Sequence, residues 1–478
     1  MSLIQTNLSQ FFKTFPERPI VVAYSGGIDS QVLLHALSQL KLQNLLANDL
    51  SVCHINHGLS CNATTWQHAA EKYCQQLSLP IKVVEVNIKE IVGESLEALA
   101  REARYKAIKA NTPTNALIVT GHHLDDQSET FLLALKRGAG LKGLSAMAET
   151  VKLHFGSSLV SKTEPNQQLL VRPLLEVSRK EIKSYALTHK LTWVEDESNK
   201  DLRFDRNFIR HQIMPLLTKR WPAMLTTIKR SSEHCQEGQL LLTELAQQDL
   251  ISCQLSVSSL SVNELIKLSP ARFNNLVRYF LEINHCLMPS TKQLQQIQLQ
   301  LLAASDKSPE IKVSSYWLRR FKGALIITPD YQKLTSWQHH FSPDKLESAE
   351  QVIKLPDNLG QLCFDLGTND SNNQQISSDE FDIVQYLTPP DSTQQITVRF
   401  SHDNPKCLPD FRQHSRELKK VLQELSIAPW QRKRIPFIYY DNVLVSAVGH
   451  FICKEFFAKE GSRAIILSWN KINSAINN

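Results

Sequence analysis

The residues that could carry chemistry stand in two short segments, and the first is residues 25–30, Ser-Gly-Gly-Ile-Asp-Ser. Adjacent glycines permit positive φ and let backbone N–H groups approach a phosphate, and a helix start after them adds unpaired N–H donors. Ser25 and Ser30 can offer hydroxyls to phosphate oxygens, and Asp29 can hold Mg²⁺, which prefers oxygen ligands. The segment predicts a nucleotide-phosphate site without the Gly-Lys-Ser/Thr ending of common NTP-hydrolysing loops. A plain serine–glycine turn is the alternative.

The second segment, residues 121–130, reads Gly-His-His-Leu-Asp-Asp-Gln-Ser-Glu-Thr. His122, Asp126 and Glu129 are spaced by four and three, which places them on one face of a helix. Such a face can offer a donor, a metal ligand and a carboxylate to one bound base. A zinc site is a weaker alternative because no third soft ligand stands nearby, and a solvated helix start is another.

Apolar runs before these segments predict the strands that position them. The strand candidates are Ile20–Ala23, Leu50–His54, Ile81–Val86 and Ala116–Thr120, and helical patterns lie between them at 30–40, 64–78, 96–110 and 125–136. This alternation predicts an α/β fold with a parallel sheet covered by helices. Ligands of such sheets bind at the carboxyl ends of the strands. Both segments, together with His54–His57, should therefore border one crevice.

The remaining chain predicts two further domains after a catalytic domain at residues 1–215. Residues 154–169 look like a hairpin or loop, Ser178 and Glu181 form a capping box, and 216–305 has a helical pattern. A helical domain is therefore expected at 216–330. Strands are expected at 311–313, 324–327, 396–400, 435–440 and 443–448, a helix at 416–425 and a loop at 367–380. They predict a small basic α+β domain at 350–478, while 330–395 suggests no function.

Composition narrows the class of protein. The 478 residues are 42% hydrophobic and 21% charged, with a net charge of +6. No apolar stretch approaches the roughly 18 residues of a membrane span, and the first residues lack the layout of a signal peptide. The nine cysteines show no C-x-x-C spacing, which fits a reducing cytoplasm.

Positive charge is concentrated in two regions, which favours a long contact with nucleic acid. Residues 172–234 hold 13 Lys and Arg against 8 Asp and Glu, and residues 401–435 hold 8 against 4. A third basic segment combines Lys136 and Arg137 with three glycines at 138, 140 and 143. Solvated basic helix faces are the alternative to the first two regions, and a helix C-cap at Gly138 is the alternative to the third.

The motifs resemble those of a known family. Residues 25–30 resemble the loop of the PP-loop ATP pyrophosphatase superfamily, and residues 121–147 resemble the corresponding segment of the tRNA(Ile)-lysidine synthetase family. Further similar stretches lie at 96–105, 171–175, 195–210 and 418–440, and the similarity is weakest at 330–395. The stretch Ser145-Ala-Met stands where many members have a glycine before the methionine.

The resemblance implies a reaction. Such enzymes use ATP to adenylylate the position-2 carbonyl oxygen of the wobble cytidine in a CAU-anticodon isoleucine tRNA. The ε-amine of free L-lysine then displaces AMP, which forms lysidine. The wobble base must leave its stack to enter the crevice, as base-modifying enzymes require.

The resemblance also implies roles for individual residues. ATP would bind the loop formed by Ser25, Gly26, Gly27, Ile28, Asp29 and Ser30, with Mg²⁺ on Asp29. His122, Asp126 and Glu129 would meet the cytidine and lysine, and Arg101 and Arg104 the AMP phosphate or the base; an ion pair of Glu97 with Arg101 is the alternative. The tRNA would contact Arg206, Asn207, Lys136, Arg137, Arg432, Lys433 and Arg434. Trp430 could stack on a base or fill a core.

Three other functions remain as alternatives. A tRNA sulfurtransferase of the same superfamily would need cysteines, and the crevice motifs hold none. A small-molecule adenylylating ligase would share the ATP chemistry without RNA. A non-catalytic RNA-binding protein would tolerate loss of Asp29. The sequence does not indicate an oligomeric state.

Overall fold

The computed structural model describes residues 1–56, 58, 62–86, 96–153, 167–195, 197–301, 310–369 and 383–471. The chain divides into two compact units, residues 1–248 and 249–478. The predicted His57, residues 154–166 of the expected hairpin and residues 370–380 of the expected loop lie outside the described residues. No helix in the described part of the chain is long and apolar enough to span a membrane.

The N-terminal unit is built on a six-stranded sheet in the order β3-β2-β1-β4-β6-β5. β1 pairs in parallel with β2 and β4, β2 with β3, and β4 with β6, while β5 and β6 are antiparallel. The predicted parallel sheet is therefore confirmed. The strands are β1 Ile20–Ala23, β2 Leu50–Asn56, β3 Ile81–Glu85, β4 Leu117–Val119, β5 Thr150–Lys152 and β6 Leu169–Val171.

Helices with an apolar face cover this sheet, as α2 (Ile28–Leu42) shows. Leu33, Leu34 and Leu37 of the helix after β1 are fully buried in the main core. The capping box of Ser178 and Glu181 is confirmed by bonds in both directions. The helices are α1 Leu3–Phe12, α2 Ile28–Leu42, α3 Ala63–Gln76, α4 Leu96–Ala110, α5 Leu124–Lys136, α6 Leu141–Leu144, α7 Arg179–Thr188, α8 Asp205–Phe208, α9 Met214–Arg220 and α10 Met224–Cys253.

The C-terminal unit begins with a helical layer on a five-stranded sheet, order β7-β8-β11-β10-β9. The strands expected at 311–313 and 324–327 are confirmed. The helical pattern expected through 254–261 is wrong, because this serine-rich stretch pairs as a hairpin. The elements are β7 Gln254–Ser256, β8 Ser259–Ser261, α11 Val262–Leu265, α12 Pro270–Ile283, α13 Thr291–Leu301, β9 Glu310–Val313, β10 Tyr316–Phe321 and β11 Ala324–Pro329.

The rest of this unit holds sheets in the orders β12-β16-β19-β20-β21 and β13-β14-β22-β15, and a small pair, β17-β18. The strands expected near 396, 435 and 443 are confirmed. Two boundaries were wrong: β14 continues to Thr368, and Arg416–Glu417 pair as a strand before the helix. The elements are β12 Gln338–Phe341, α14 Asp344–Ser348, β13 Gln351–Lys354, β14 Gln361–Thr368, β15 Ile383–Leu387, β16 Ile396–Arg399, β17 Lys406–Cys407, β18 Arg416–Glu417, α15 Leu418–Glu424, α16 Pro429–Arg432, β19 Phe437–Tyr440, β20 Val443–Ala447, β21 Phe451–Ile452 and β22 Arg463–Asn470.

Candidate active site

The turn between β1 and α2 presents open backbone donors. Gly26 has φ +83°, a conformation that side-chain-bearing residues rarely adopt. Ser30 Oγ accepts from Ser25 N at 3.3 Å, donates to Gly27 O at 3.0 Å and lies 3.1 Å from Ser25 Oγ. α2 begins at Ile28, and its N-cap Gly27 makes no side-chain capping bond. The first N–H groups of α2 are therefore free of a side-chain cap, which suits an anion.

Two other segments hold this turn in place. A Cβ at Gly121, after β4, would lie 2.9 Å from the carbonyl carbon and oxygen of Asp29 and 3.0 Å from Ser30 N. Only glycine allows that approach. On the other side, Val194 N donates to Gly26 O at 3.0 Å. The close backbone approaches of Gly121 and Val194 therefore fix the turn from two sides.

Asp29 faces a buried histidine that the sequence analysis left without a role. His123 is fully buried, and its Nε2 lies 3.5 Å from Asp29 Oδ1 and 3.4 Å from Asp126 Oδ2. Burial raises the pKa of Asp29, while the charges of His123 and Arg179 oppose that shift. Asp29 Oδ1 is buried and accepts no hydrogen bond from the described residues. The sequence signal that could have identified His123 is the position of this residue as the N-cap of α5.

Two carboxylates of α5 are held by an arginine that the sequence analysis did not select. Arg210 donates from Nε and Nη2 to the two oxygens of Glu129, at 2.6 and 2.8 Å, and from Nη2 to Asp126 Oδ1 at 3.0 Å. Burial raises the pKa of Glu129 against the opposing effect of Arg210. Burial would also raise the pKa of Asp126, but His123, His122 and Arg210 outweigh it, so this pKa is lowered.

The local backbone explains how Arg210 reaches α5. Residues Ile209–Ile213 form a π-helical turn between α8 and α9. Such turns carry one extra residue per turn and occur often at functional sites. Arg206, in α8, also points to α5, donating to Thr130 Oγ1 at 2.9 Å and lying 3.4 Å from Glu129 Oε2. Arg206 and Arg210 therefore both bind side chains of α5, the helix that carries Asp126 and Glu129.

His122 is held in its neutral form. Its Nδ1 lies 2.8 Å from Thr120 Oγ1. Burial lowers its pKa, Asp126 opposes that effect, and the positive charges of Arg172, Arg101 and Arg206 add to it. A neutral imidazole can donate one hydrogen bond and accept another, which suits contact with a base.

A cavity of about 440 Å³ lies at the carboxyl ends of β1, β2 and β4, and His123, Glu129 and Arg210 are not among the residues that line it. Ser25, Asp29 and Ser30 line it together with His122 and Asp126, which joins the two predicted segments in one site. Arg104 and Arg206 also line it, whereas Arg101 does not; the Arg101 guanidinium lies 5.3 Å from the Tyr105 ring centroid. His54 and Asn56 line it as expected, and lining residues that were not selected include Trp66, Tyr105 and Thr120.

The residues of the cavity also bear on two alternatives, a sulfur-transferring enzyme and a metal site. Cys53 is among the lining residues, but burial raises its pKa to about 11, so it remains a thiol at neutral pH. A sulfur-transferring cysteine acts as a thiolate. Within the described residues no group of three or more His, Cys, Asp or Glu side chains could hold a metal ion.

The other predicted tRNA contacts lie away from the cavity lining. Lys136 pairs with Asp205 at 2.6 Å, and both are exposed; Arg137 is exposed beside it. Asn207 is buried and donates to Asp201 O at 3.0 Å.

In the C-terminal unit, the predicted basic triplet is partly used in internal contacts. Arg434 pairs with Asp357 and lies 4.0 Å from the Tyr331 ring centroid, and Arg432 Nε donates to Ile427 O at 2.8 Å. Lys433 is exposed. Trp430 is buried, 5.8 Å from the Phe321 ring, so it fills a core.

Comparisons with known proteins agree with this organisation. Three family descriptions match: "PP-loop domain" at residues 1–217, "TilS substrate binding domain" at 260–326 and "TilS substrate C-terminal domain" at 396–469. A curated tRNA(Ile)-lysidine synthase of Coxiella burnetii is 38% identical over 439 residues, 92% of this chain and 90% of the relative. That of Serratia proteamaculans is 38% identical over 459 residues, 95% and 96% of the two chains. Among solved structures, the U34-tRNA thiolase NcsA of Methanococcus maripaludis aligns at 20% identity and TM-score 0.40, covering 49% of this chain and 78% of that one.

Proposed function

Because the chain belongs to the tRNA(Ile)-lysidine synthase family, we propose that it is an ATP-using ligase that joins L-lysine to carbon 2 of the wobble cytidine in CAU-anticodon isoleucine tRNA. One observation carries the proposal at the level of chemistry. The phosphate turn and the polar face of α5 border a single cavity, so a nucleotide phosphate and a base can meet there.

In the first step, the turn binds the phosphates of ATP. The cytidine O2 attacks the α-phosphorus, and pyrophosphate leaves. The unpaired N–H groups at the start of α2, with the hydroxyls of Ser25 and Ser30, stabilise the charge that develops on the phosphates. His122 contacts the cytosine as a neutral donor, and Arg104 and Arg206 contact the base or the AMP phosphate. Arg101 adds positive charge outside the cavity lining.

Mg²⁺ fits the donor set at Asp29. The buried Oδ1 of this residue lacks a hydrogen-bond donor among the described residues, and a hard oxygen of this kind is the ligand that Mg²⁺ prefers. The bound ion would supply charge neutralisation to the departing pyrophosphate.

In the second step, the lysine ε-ammonium loses a proton, the neutral amine attacks carbon 2 as AMP leaves, and the new C–N nitrogen then loses a second proton. The lowered pKa of Asp126 keeps this cavity-lining carboxylate ionised, so it can attract the ammonium group. Because the same lowered pKa makes it a weak base, it passes the proton on to solvent. Glu129 is 1% exposed and both its oxygens bind Arg210. We therefore propose that Glu129 positions Arg210, which in turn positions Asp126.

The RNA needs a binding surface around this cavity. We propose that Lys136, Arg137 and Asn207 lie on the anticodon side, and that residues 216–330 and 350–478 bind other parts of the tRNA in the cytoplasm. Lys433 is the exposed member of the basic triplet at 432–434. A tRNA contact by Arg434 would have to replace its ion pair with Asp357.

The test is incorporation of labelled lysine into an unmodified CAU-anticodon isoleucine tRNA transcript with ATP and Mg²⁺. An elongator methionine tRNA with the same anticodon is the control. Label in the isoleucine tRNA, abolished by Asp29→Ala and by Asp126→Asn, is the expected result. Pyrophosphate release without lysine incorporation would refute the ligase and favour a small-molecule or sulfur acceptor.

A further inference from the structure

The C-terminal unit carries a rigid turn that the proposed mechanism does not use. Lys406–Cys407 pair with Arg416–Glu417, and the residues between them form a loop; we call residues 406–420 the basic hairpin. Asp410 N donates to Ile452 O at 2.8 Å, and Arg412 N donates to Pro409 O at 2.9 Å. The loop is thus bonded both to itself and to the neighbouring strand, so its backbone is held in a defined position.

An aromatic ring stands on this loop. Phe411 is 55% exposed, and its centroid lies 6.4 Å from that of the buried Phe451 in an edge-on arrangement. Its flanking residues, Asp410 and Arg412, are fixed by the backbone bonds described above. A preformed and solvent-accessible ring of this kind is a platform on which an unpaired base can stack.

The basic hairpin carries five Lys and Arg against two Asp and Glu, one of which, the exposed Asp410, adjoins Phe411. Glu424 is shared by Arg412 and Arg416, so one carboxylate faces two guanidinium groups. Lys420 lies 3.4 Å from Glu417, whereas Lys419 is exposed and makes no ion pair with the described residues. Burial lowers the pKa of the nearby His402, and the charge of Lys419 lowers it further. The positive field of this face is therefore only partly neutralised.

We propose that the basic hairpin binds an unpaired segment of the tRNA, with a base stacked on Phe411 and phosphates on Lys419 and Arg416. An aromatic ring beside partly neutralised cations matches single-stranded RNA, which presents bases and phosphates together. The inference rests on the proposed function for the identity of the RNA. It differs from the assignment to residues 432–434 in that the basic hairpin carries an exposed aromatic ring.

Affinity of the full-length protein for the tRNA transcript, measured by filter binding, tests the stacking contact. Loss of one base–aromatic stack corresponds to about a five- to hundredfold weaker Kd, and we expect this for Phe411→Ala but not for Phe411→Tyr. Phe457→Ala is the matched control, since Phe457 is 47% exposed in the same unit. Equal affinity of wild type and Phe411→Ala would overturn the proposal.

Two further measurements separate RNA stacking from other contacts. A single-stranded RNA oligomer and a blunt duplex of the same sequence serve as probes, and Phe411→Ala should weaken binding of the single strand only. An equal loss on both probes would refute base stacking. Lys419→Ala should reduce the slope of log Kd against log salt by about one; an unchanged slope would remove Lys419 from the contact. If the wild-type protein binds the tRNA but incorporates no lysine, the ligase proposal is refuted. The binding measurements on the Phe411 and Lys419 variants still test whether the basic hairpin binds RNA.

Discussion

Replacing Gly121 by alanine tests whether the approach of the β4–α5 segment to the start of α2 builds the phosphate site. The new Cβ would stand 2.9 Å from the carbonyl atoms of Asp29 and 3.0 Å from Ser30 N. Because these are backbone atoms, no side-chain rotation can relieve the contact. Overpacking of this kind costs about 1–3 kcal/mol, and relief requires that α2 move away from the turn.

We expect Gly121→Ala to lower the midpoint of thermal unfolding of the N-terminal unit by about 2–12 °C. ATP affinity should fall with it, because the displaced N–H groups are the proposed phosphate donors. The assays are thermal unfolding with and without ATP, and direct titration with ATP. Gly140→Ala is the control, since a Cβ there meets nothing within 4 Å and φ is negative. Wild-type stability and ATP affinity in Gly121→Ala would refute the steric argument.

Three other outcomes are expected. Arg210→Met should destabilise the N-terminal unit by about 3–5 kcal/mol in denaturant unfolding, because the buried Glu129 loses both hydrogen bonds from Arg210. Adding Glu129→Gln should restore part of the loss, and additive effects would contradict the pairing. His122→Gln should lower kcat/KM for tRNA without changing the shape of its pH profile. Burial lowers the pKa of His122, so the ring is uncharged at neutral pH in the wild type as well. If the wild-type profile has an acidic limb that the variant lacks, this reasoning is wrong. A double-mutant cycle with Arg434→Met and Asp357→Asn should give a coupling of about 0.5–3 kcal/mol in unfolding free energy, and zero coupling would mean that Arg434 is free for RNA.

The sequence predicts four of the six strands of the N-terminal sheet, because β1 to β4 are short apolar runs followed by a turn or loop. It missed β5, whose three residues are all exposed, and β6, whose first residue fell in the expected hairpin or loop. β1 matches its predicted bounds, and the turn and α5 segments meet as the topology of a parallel sheet requires. In the C-terminal unit, antiparallel pairing joins segments that lie far apart in the sequence, and no local sequence pattern predicts which segments pair. The strand at 316–321 was missed because its burial does not alternate, with Leu318 and Arg319 both buried.

The site was predictable in its motifs but not in the contacts between them. His122 and Asp126 were found because their spacing fits one helical face. Arg210 was missed, since only the π-helical turn brings it to a carboxylate 81 positions earlier in the chain. The basic triplet shows the opposite error: composition cannot distinguish Lys433, which is exposed, from Arg434, which has an internal partner.

The π-helical turn at Ile209–Ile213 also constrains how this segment can change in length. It holds one residue more than the α-helical turn that would otherwise join α8 to α9. Removing one residue here would restore an α-helical turn between α8 and α9 and would change the direction from which Arg210 reaches α5. Substitutions within the segment and deletions of the same residues should therefore have very different consequences. Over evolutionary time, the length of this turn should vary less than the identity of its outward-facing side chains.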